Sequence, residues 1–322
     1  MSKNKAEITK DLFIGAGEDS NITIEGSYVG GGKSTNLTAD NDINILAGEN
    51  KSTEDSRNSS SGWNAGVVAS IGKETGFGVT AGANKGKGKS EGNETYYTNS
   101  IVGTDTGKTT IVSGGNTNII GGEVYGKGVE LDVGGDLTIA SVQDRSDYHS
   151  DQKDASIQGT WMFGTGGSVS GSFNQSKIDA NHQSVADQSG IFAGDDGFQV
   201  KVDGNTHLSG GVVVANEKAK LEGLNSFETG TITSNDLVNQ SEYEGEGFGI
   251  SGGYGYQNDG PNNPKGTNPT QTETVNLPDG SHSVNKNVGY GKDKDSKSSV
   301  TQSGIGVSLP SSAQFITRDF SD

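Results

Sequence analysis

The chain has few of the residue types that fix a fold or a chemistry by themselves. Its 322 residues include no Cys and only five Pro, so disulfide bonds cannot hold it together. It has only three Arg, at positions 57, 145 and 318, and its formal net charge at pH 7 is −17. Binding to nucleic acid depends on clustered positive charge, so we predict that nucleic acid is not a partner.

Long hydrophobic segments are also missing. The chain contains no run of about eighteen apolar residues, so we predict no transmembrane helix. Its first ten residues, MSKNKAEITK, contain no apolar stretch that could act as a signal peptide. Because strand-like sequence begins directly after them, we expect the chain to be part of a longer protein, with Met1 as an added start.

The residues that are present predict strands. Hydrophobic residues make up 29% of the chain and Gly supplies 52 positions. Together with the acidic charge, this low hydrophobic fraction would indicate disorder. However, Val, Ile and Leu recur at regular spacing, in short runs that are bounded by Gly-rich turns. We therefore predict a folded, all-β chain.

An internal repeat organises the sequence. In three segments, Asn is followed five residues later by Gly and eight residues later by Val: NITIEGSYV at 21–29, NTNIIGGEV at 116–124 and NTHLSGGVV at 205–213. Residues 215–222 have a helical composition, but their place in the repeat predicts a strand, and we predict one there.

Two further blocks support the repeat. In the second, a Leu precedes an apolar residue by six positions: Leu37 and Ile43, Leu131 and Leu137, Leu221 and Phe227. The third block, Gln-Ser-Gly-Ile, occurs at 188–191 and 302–305, and the first copy has only Asn-Ser-Ile-Val at 99–102. The conserved spacing indicates one structural unit used three times.

Short strands dominate the blocks themselves. Segments such as 129–133 and 136–139 are only a few residues long and are separated by Gly. Such strands suit successive coils of a parallel β-solenoid, where inward Val, Ile and Leu stack from coil to coil. A β-sandwich is the alternative, but it does not explain the repeated spacing.

The segments between the blocks alternate apolar with small polar residues, which is typical of amphipathic strands. In the first copy, one face carries Trp63, Ala65, Val67, Ala69 and Ile71, and the returning strand carries Phe77, Val79, Ala81 and Ala83. The second copy has Ile157, Trp161 and Phe163, then Val169 and Phe173; the third has Phe248, Ile250, Tyr254 and Tyr256. We predict hairpins that project from the solenoid in the first two copies.

These patterns divide the chain into six parts: an approach over 1–19, copy 1 over 20–114, copy 2 over 115–203, copy 3 over 204–256, an insertion over 257–299, and a final coil with a tail over 300–322. The insertion contains four of the five Pro and the charged run Lys-Asp-Lys-Asp at 292–295. We predict that it is flexible.

The chain resembles the haemagglutinin repeats of filamentous haemagglutinin-like exoproteins, which use two-partner secretion. The resemblance rests on Gly-Asn-Thr-Asn-Ile at 115–119, Gly-Asp-Leu-Thr-Ile at 135–139 and the two Gln-Ser-Gly-Ile blocks. It covers residues 10–256 and 300–310. It implies a right-handed parallel β-helix within a long surface filament that serves adhesion or contact-dependent growth inhibition.

The long, regular inserts are most similar to the second haemagglutinin-repeat region of contact-dependent growth inhibition effectors. This resemblance implies a secreted, surface-exposed protein with an outer-membrane secretion partner. It also implies a role in carrying a C-terminal toxin across the target-cell outer membrane, with the receptor-binding and toxin segments outside this chain. The alternative is an adhesin or spacer segment without membrane insertion.

The inserts have some features of membrane strands. A strand that crosses an outer membrane needs about 9 to 11 residues, with alternating apolar positions and aromatics near its ends. We predict membrane contact for eight aromatic residues: Trp63, Phe77, Trp161, Phe163, Phe173, Phe248, Tyr254 and Tyr256. The alternative is that the hairpins bury their apolar face against the flank of the solenoid.

No catalytic, cofactor or metal site is predicted. His149, His182, His207 and His282 are scattered, and the Gly-x-Ser-x-Gly pattern at 249–253 lies in a predicted strand rather than a strand-turn-helix. Some solenoids cleave polysaccharides with Asp clusters. Here the Asp residues flank turns, where Asp commonly bonds the backbone: Asp132, Asp136, Asp195, Asp196 and Asp203. We predict a non-enzymatic segment.

Overall fold

The computed structural model describes residues 5–8, 11–70, 76–164, 166–257, 272–277 and 280–306. Strands dominate these residues, which confirms the all-β prediction. In chain order the elements are β1 (Lys5–Ile8), β2 (Leu12–Ala16), β3 (Ile22–Glu25), β4 (Tyr28–Gly31), β5 (Ser34–Ala39), β6 (Ile43–Leu46), β7 (Gly48–Ser70), β8 (Gly76–Thr98), β9 (Ser100–Ser113), β10 (Thr117–Ile120), β11 (Gly122–Val133), β12 (Leu137–Ala140), β13 (Asp144–Met162), β14 (Gly166–Ser184), β15 (Gly190–Val202), β16 (Asn205–Ser209), β17 (Val212–Ala215), α1 (Glu217–Leu221), β18 (Ser226–Glu228), β19 (Thr231–Asn235), β20 (Leu237–Gln257), β21 (Thr272–Leu277), β22 (Gly280–Thr301) and β23 (Gly304–Gly306).

Three sheets collect these strands. Sheet A is parallel and has ten strands, with β1, β4, β9, β11, β15, β17 and β23 as successive neighbours and β2, β5 and β18 beside them. Sheet B is parallel and has six strands, in the order β19, β16, β12, β10, β6, β3. Sheet C is antiparallel and has seven strands, in the order β7, β8, β13, β14, β20, β22, β21.

Equivalent residues of the repeat stack on one another in the parallel sheets. One column of sheet A contains Val29, Val102, Val124, Ile191, Val213 and Ile305. One column of sheet B contains Ile24, Ile45, Ile119, Ile139 and Leu208. Both columns contribute to a single hydrophobic core. Because Val102 and Ile191 lie between the repeated Val residues, each copy supplies two layers of the stack.

The repeated Asn forms a hydrogen-bond ladder at the start of sheet B. Asn21 Oδ1 accepts from the N–H of Asp42 at 3.0 Å, and Asp42 Oδ1 accepts from the N–H of Asn116 at 2.7 Å. Asn116 Oδ1 then accepts from the N–H of Asp136 at 2.8 Å, and Asp136 Oδ1 accepts from the N–H of Asn205 at 2.7 Å. The ladder explains why the first five layers have Asn or Asp at this position. The sixth layer has Thr231, whose Oγ1 donates to Asn205 Oδ1 at 2.6 Å.

The repeated Gly ends each of these sheet B strands. Gly26, Gly121 and Gly210 have φ values of +54°, +65° and +59°, a left-handed conformation that favours Gly. A Cβ at Gly121 would also lie only 2.3 Å from the Cβ of Ala47. The repeated Gly therefore occurs where the backbone adopts a left-handed conformation and leaves no room for a side chain.

The strand predicted over 215–222 is wrong, because α1 occupies part of it. The Asn216 side-chain oxygen accepts from the N–H of Ala219 at 3.1 Å and caps the helix. The helix sequence EKAKL has no β-branched residue, and its Ala219 is fully buried. Good helix formers after an N-cap therefore override the register of the repeat.

The second block of the repeat fails in its third copy for the same reason. Leu221 lies on α1 and is 78% exposed, so it does not share the buried column of Leu131. Phe227 takes that place, since Val200 pairs with both Leu131 and Phe227. The helix and its loop have shifted the chain by six residues relative to the pattern.

Every second layer carries a long hairpin. The pairs β7–β8, β13–β14 and β20–β22 each leave after a sheet B strand and return into a sheet A strand. Two layers of a parallel sheet are about 9.6 Å apart, which is also the width of two paired strands. The hairpins therefore fit edge to edge and form the continuous sheet C.

The third block marks the return from a hairpin into sheet A. Ser100 Oγ donates to the carbonyl of Leu46 at 2.6 Å, and Ser303 Oγ donates to the carbonyl of Asn235 at 2.6 Å. Leu46 and Asn235 are the last residues of β6 and β19. The repeated Ser therefore closes the same corner at the base of the first and third hairpins.

The predicted flexible insertion over 257–299 does not hold for residues 280–299. These residues belong to β22, which pairs with β20 from Leu237–Thr301 to Gln257–Ser281 and completes a third hairpin. The nearby Pro residues favoured the prediction of an insertion, although this strand has an alternating pattern. Residues 258–271 and 278–279, together with the predicted tail over 307–322, lie outside the described residues.

Candidate functional site

All eight predicted aromatic residues are at sheet C. Seven lie within its strands: Trp63, Phe77, Trp161, Phe173, Phe248, Tyr254 and Tyr256. Phe163 follows β13 directly, and its N–H donates to the carbonyl of Phe77 at 2.9 Å. The structure therefore brings together residues that are almost 200 positions apart in the sequence.

Strand register places the seven on one face of sheet C. Residues directly opposite each other share a face, and alternate residues of one strand point to opposite faces. Val79 lies opposite Val67 on one side and opposite Trp161 on the other. Val169 likewise lies opposite Gly159 and Tyr254. The same register continues across all three hairpins.

We call this surface the apolar face, defined by Trp63, Ala65, Val67, Ala69, Phe77, Val79, Ala81, Ala83, Ala155, Ile157, Trp161, Val169, Phe173, Phe248, Ile250, Tyr254, Tyr256, Val288 and Tyr290. The sequence prediction missed Val288 and Tyr290 because they lie in the segment taken for an insertion. The alternation of Val288 and Tyr290 with Asn287, Gly289 and Gly291 was the signal that could have found them.

The apolar face is exposed rather than packed on the parallel sheets. Trp63 is 83% exposed and Trp161 is 57% exposed. Burial against the flank of a solenoid, the alternative that the sequence left open, requires these side chains to be covered. Among the described residues, the strands of sheet C contact one another edge to edge and leave this face open.

The apolar face ends along an oblique line on the side of the parallel sheets, which we call the boundary. The first polar residues on that side are Ser61, Lys85, Lys153, Gln175, Glu246 and Lys292, taken strand by strand from β7 to β22. The line moves two residues along the strand from each hairpin to the next. With about 3.4 Å per residue and about 4.8 Å per strand, the strands are tilted about 35° from the perpendicular to this line.

Aromatic side chains line both limits of the apolar face. On four strands the first residue beyond the boundary is aromatic: Trp63, Phe173, Phe248 and Tyr290. Phe77, Trp161 and Tyr256 lie at the far side. Mostly Ala, Val, Ile and Gly lie between, with one charged residue in the described strands, Lys286, opposite Gly252 on β22. From Phe248 to Tyr256 the apolar band is about 27 Å long along the strand, or about 22 Å measured perpendicular to the boundary.

The opposite face of the same strands is small and polar. It carries residues such as Asn64, Asn84, Ser170, Ser172 and Ser251, with many Gly between them. A Cβ at Gly82, on this face, would lie 2.5 Å from the Oδ1 of Asn64. The sheet is therefore strongly amphipathic, and its two faces have different chemistry.

Charged side chains follow directly behind the boundary. On the third hairpin, Lys292 contacts Glu244 and lies 2.8 Å from Glu246. Hydrogen bonds to these two carboxylates raise the pKa of Lys292 above its ordinary value. On the first two hairpins the same zone contains Lys85, Lys87 and Lys153.

The other residues considered from the sequence do not form a chemical site. Asp136 belongs to the hydrogen-bond ladder, His207 contacts Thr233 Oγ1 at 2.8 Å, and Ser251 lies within β20. In the part of the chain that the structure describes, no group of three or more His, Cys, Asp or Glu could hold a metal ion. Nor does that part contain a helix long and apolar enough to span a membrane.

Comparison with known proteins agrees with the repeat. The family model for the hemagglutinin repeat matches residues 2–156. A tRNA nuclease CdiA of Yersinia mollaretii is 42% identical over 246 residues, which cover 76% of this chain and 8% of that protein. A toxin CdiA of Escherichia coli is 37% identical over 239 residues, with 73% and 8% coverage. A deoxyribonuclease CdiA of Yersinia pseudotuberculosis is 34% identical over 241 residues, with 74% and 22% coverage. No solved structure matches the chain.

The stacked repeats and these matches define a haemagglutinin-repeat segment of a two-partner secretion protein. The chain belongs to the haemagglutinin-repeat regions of the CdiA proteins of contact-dependent growth inhibition. Such proteins are secreted and exposed at the bacterial surface, as the resemblance implied. The chain spans about 8% of the length of the first two relatives.

Proposed function

We propose that sheet C engages the outer membrane of a target cell, and that the segment thereby assists delivery of a toxin carried by its parent protein. The segment performs no chemical step itself and takes no cofactor, and an outer-membrane partner exports the parent protein. The observation that carries this proposal is the apolar face. Soluble proteins rarely expose contiguous apolar surfaces of this extent, which are typical of membrane or protein contacts.

The parallel sheets A and B, which carry the hairpins of sheet C, are best explained as parts of a right-handed parallel β-helix. The chain passes between sheet B and sheet A, and it advances by one neighbouring strand each time. Side chains from both sheets form one core. Parallel crossover connections are right-handed in about 98% of cases. A β-helix of this kind holds successive hairpins at the two-layer spacing that sheet C needs.

The geometry of the apolar face supports contact with lipid. Strands that cross an outer membrane are tilted by about 35–45° and carry an apolar band about 25 Å tall between aromatic girdles. The tilt of about 35° and the height of about 22 Å derived from the strand register agree with these values. The aromatic residues at both limits of the apolar face correspond to the two girdles.

Backbone pairing sets a further requirement. In lipid, every backbone N–H and C=O must be satisfied within the protein. Among the described residues, β7 pairs with β8 alone, so its outer edge is open along Gly48–Ser70. We infer that other hairpins of the repeat region or strands of a host protein complete the sheet when it enters the membrane.

The depth of the two Trp residues tests this proposal. Trp63 and Trp161 are the only two Trp of the chain. Trp63 is the first apolar residue beyond the boundary on its strand, whereas Trp161 lies eight positions beyond Lys153. If the strands cross the bilayer, Trp161 lies about 17 Å farther from the boundary than Trp63, measured perpendicular to the boundary.

The measurement uses the single-Trp variants Trp63→Phe and Trp161→Phe with vesicles whose brominated lipids are confined to the outer leaflet. We expect strong quenching of Trp63 and much weaker quenching of Trp161, which would lie in the inner leaflet if the strands cross. Equally strong quenching of both Trp residues would contradict crossing and indicate a sheet that lies on the surface. No quenching of either Trp would contradict membrane contact and favour the alternative function, an adhesin or spacer segment.

A further inference from the structure

Basic side chains are distributed unevenly over sheet C. The chain is strongly acidic, with a net charge of −17, but Lys residues gather directly behind the boundary, on the side of sheet C that carries the apolar face. They include Lys85, Lys87 and Lys89 on β8, Lys153 on β13, Lys177 on β14 and Lys292 on β22. Lys286 on β22 lies opposite Gly252, within the apolar band. On the opposite face of the described strands, Lys297 is the one Lys, and it lies near the parallel sheets.

Acidic side chains of the same face lie one row closer to the parallel sheets. This row contains Asp55, Glu91, Asp179 and Glu244, with His149 and Lys294 in register with them. The next row contains Arg57, Lys89, Lys177 and Lys292, with Asp151 and Glu246 in register with them. Along the strands, the formal charge of the rows thus changes from net negative to net positive before the apolar band begins. This order matches the profile of an anionic membrane surface, where headgroup charge lies directly outside the hydrocarbon.

The positive charge on the first two hairpins is only partly neutralised within the described structure. Lys89 contacts Glu91, and Lys153 lies 3.2 Å from the carboxylate of Asp151. Lys85, Lys87 and Lys177 form no ion pair there, although Lys177 lies in register between Asp151 and Glu246. Lys87 lies directly opposite Lys153 in the pairing of β8 and β13. Like charges at directly opposite positions destabilise a sheet, so an anionic partner would relieve an unfavourable arrangement.

We propose that Lys85, Lys87, Lys153 and Lys177 bind phosphate groups of anionic lipids at the surface of the membrane. This inference rests on the proposed membrane contact of the apolar face and adds the chemical class of lipid that the face selects. The aliphatic stem of a Lys can lie along apolar surface while its ammonium group reaches the headgroup region. The four ammonium groups would also fix the depth to which sheet C enters.

A second copy of the chain is a poorer occupant of this surface. In a two-fold dimer with the hairpins side by side in the same direction, the Lys rows of the two copies would face each other. In a two-fold dimer with opposed hairpins, only the apolar bands would overlap, and the Lys rows would lie outside the contact. Because a two-fold interface uses the same patch twice, neither arrangement gives the Lys residues an anionic partner.

The test compares two quadruple variants with the same change in net charge. The first is Lys85→Gln, Lys87→Gln, Lys153→Gln and Lys177→Gln. The control is Lys33→Gln, Lys127→Gln, Lys201→Gln and Lys220→Gln, whose residues lie outside sheet C and are exposed. Each protein is floated with neutral phosphatidylcholine vesicles and with vesicles that contain phosphatidylglycerol, and its mass without lipid is measured by sedimentation.

We expect the wild type and the control to bind anionic vesicles at least about tenfold more tightly than neutral ones, because each Lys adds attraction to an anionic surface. The variant with the boundary substitutions should bind both vesicle types equally, at the neutral level. Equal losses in both variants, or no preference of the wild type for anionic vesicles, would overturn the proposal while leaving membrane contact intact. Failure of the wild type to bind either vesicle would refute membrane contact, and with it this inference. A stable dimer that forms through the apolar face and excludes vesicles would identify a second copy as the occupant instead.

Discussion

Trp161 lies directly opposite Val79, although the two residues belong to hairpins of different repeat copies. The pairing shows that sheet C is continuous across copies. An apolar residue in one hairpin is therefore followed, across the paired strands, by an apolar residue in the next hairpin. The three hairpins together form the apolar face. Substitutions on this face should act on membrane contact, whereas substitutions in the parallel sheets should act on stability.

Replacing Trp161 and Phe163 by Ser should greatly weaken membrane association. Both side chains are more than half exposed, and burying each in lipid contributes about 1.5–3 kcal/mol. Together they should change vesicle affinity by about a hundredfold or more, as measured by flotation. The unfolding free energy should change by less than about 1 kcal/mol, because exposed side chains contribute little to stability.

The matched control for that pair is Gln158→Ser with Met162→Ser. These residues are on the same strand, β13, but on the opposite face. Vesicle binding should be unchanged in this variant. If the Trp161 and Phe163 substitutions instead lowered stability by several kcal/mol in the absence of lipid, the side chains would pack on the protein and the proposal would be wrong.

Removing the carboxylate of Asp42 should destabilise the parallel sheets. Its Oδ1 accepts a hydrogen bond from the N–H of Asn116 at 2.7 Å, and a hydrogen bond of this kind contributes about 0.5–1.5 kcal/mol, with charged acceptors at the upper end. Asp42→Ala should lower the unfolding free energy by about 1–2 kcal/mol in urea titrations. Asp40→Ala removes a nearby exposed carboxylate outside the ladder, and an equal loss in both variants would argue against the ladder.

Substitution of Gly121 should be more severe than substitution of an ordinary strand Gly. Gly121 has φ +65°, and an added Cβ would lie 2.3 Å from the Cβ of Ala47. The left-handed conformation alone costs a non-Gly residue about 1–2 kcal/mol, so Gly121→Ala should lower stability by at least that amount in thermal or urea unfolding. Gly15→Ala is the control, because a Cβ there meets no atom within 4 Å. Comparable stability of the two variants would refute the assigned role of the repeated Gly.

The carboxyl of Asp144 should make stability depend on pH in a predictable direction. Burial at the base of β13 raises its pKa above the ordinary value, against the hydrogen bond from the N–H of Tyr97. A folded-state pKa above the unfolded value means that the folded state holds this proton more tightly. This contribution to stability is therefore present at low pH and is lost as pH rises through the ordinary carboxyl value to the raised one.

Asp144→Asn should remove this effect while keeping an oxygen that can accept from Tyr97. We expect the variant to be more stable than the wild type at neutral pH and to differ less at low pH, as followed by thermal unfolding across the pH range. A variant that is less stable at neutral pH would show that the carboxylate is favoured there.

The sequence predicts the stacked layers because the same residue types recur wherever the backbone needs a particular hydrogen bond or a left-handed turn. Asn116 and Gly121 are recognisable in all three copies, and each serves one ladder position or one left-handed turn. The helix α1 was missed because register was given more weight than local capping by Asn216. Strand β22 was missed because nearby Pro residues suggested an insertion.

The candidate site could be predicted only in part. Alternation identifies the apolar face of one hairpin at a time, so Trp63, Trp161 and Phe248 could each be named. Their common plane, the oblique boundary and the row of Lys residues depend on the register between hairpins, as in the pairing of Lys87 with Lys153. A single sequence does not contain that register.

The most direct test of the central claim is flotation of the purified chain with outer-membrane-like liposomes, followed by proteolysis and mass mapping of protected peptides. If sheet C enters the membrane, peptides from residues 62–83 and 157–173 should be protected with liposomes present and cleaved more readily without them. A folded β-rich chain that does not float, with the same cleavage pattern in both conditions, would contradict membrane engagement.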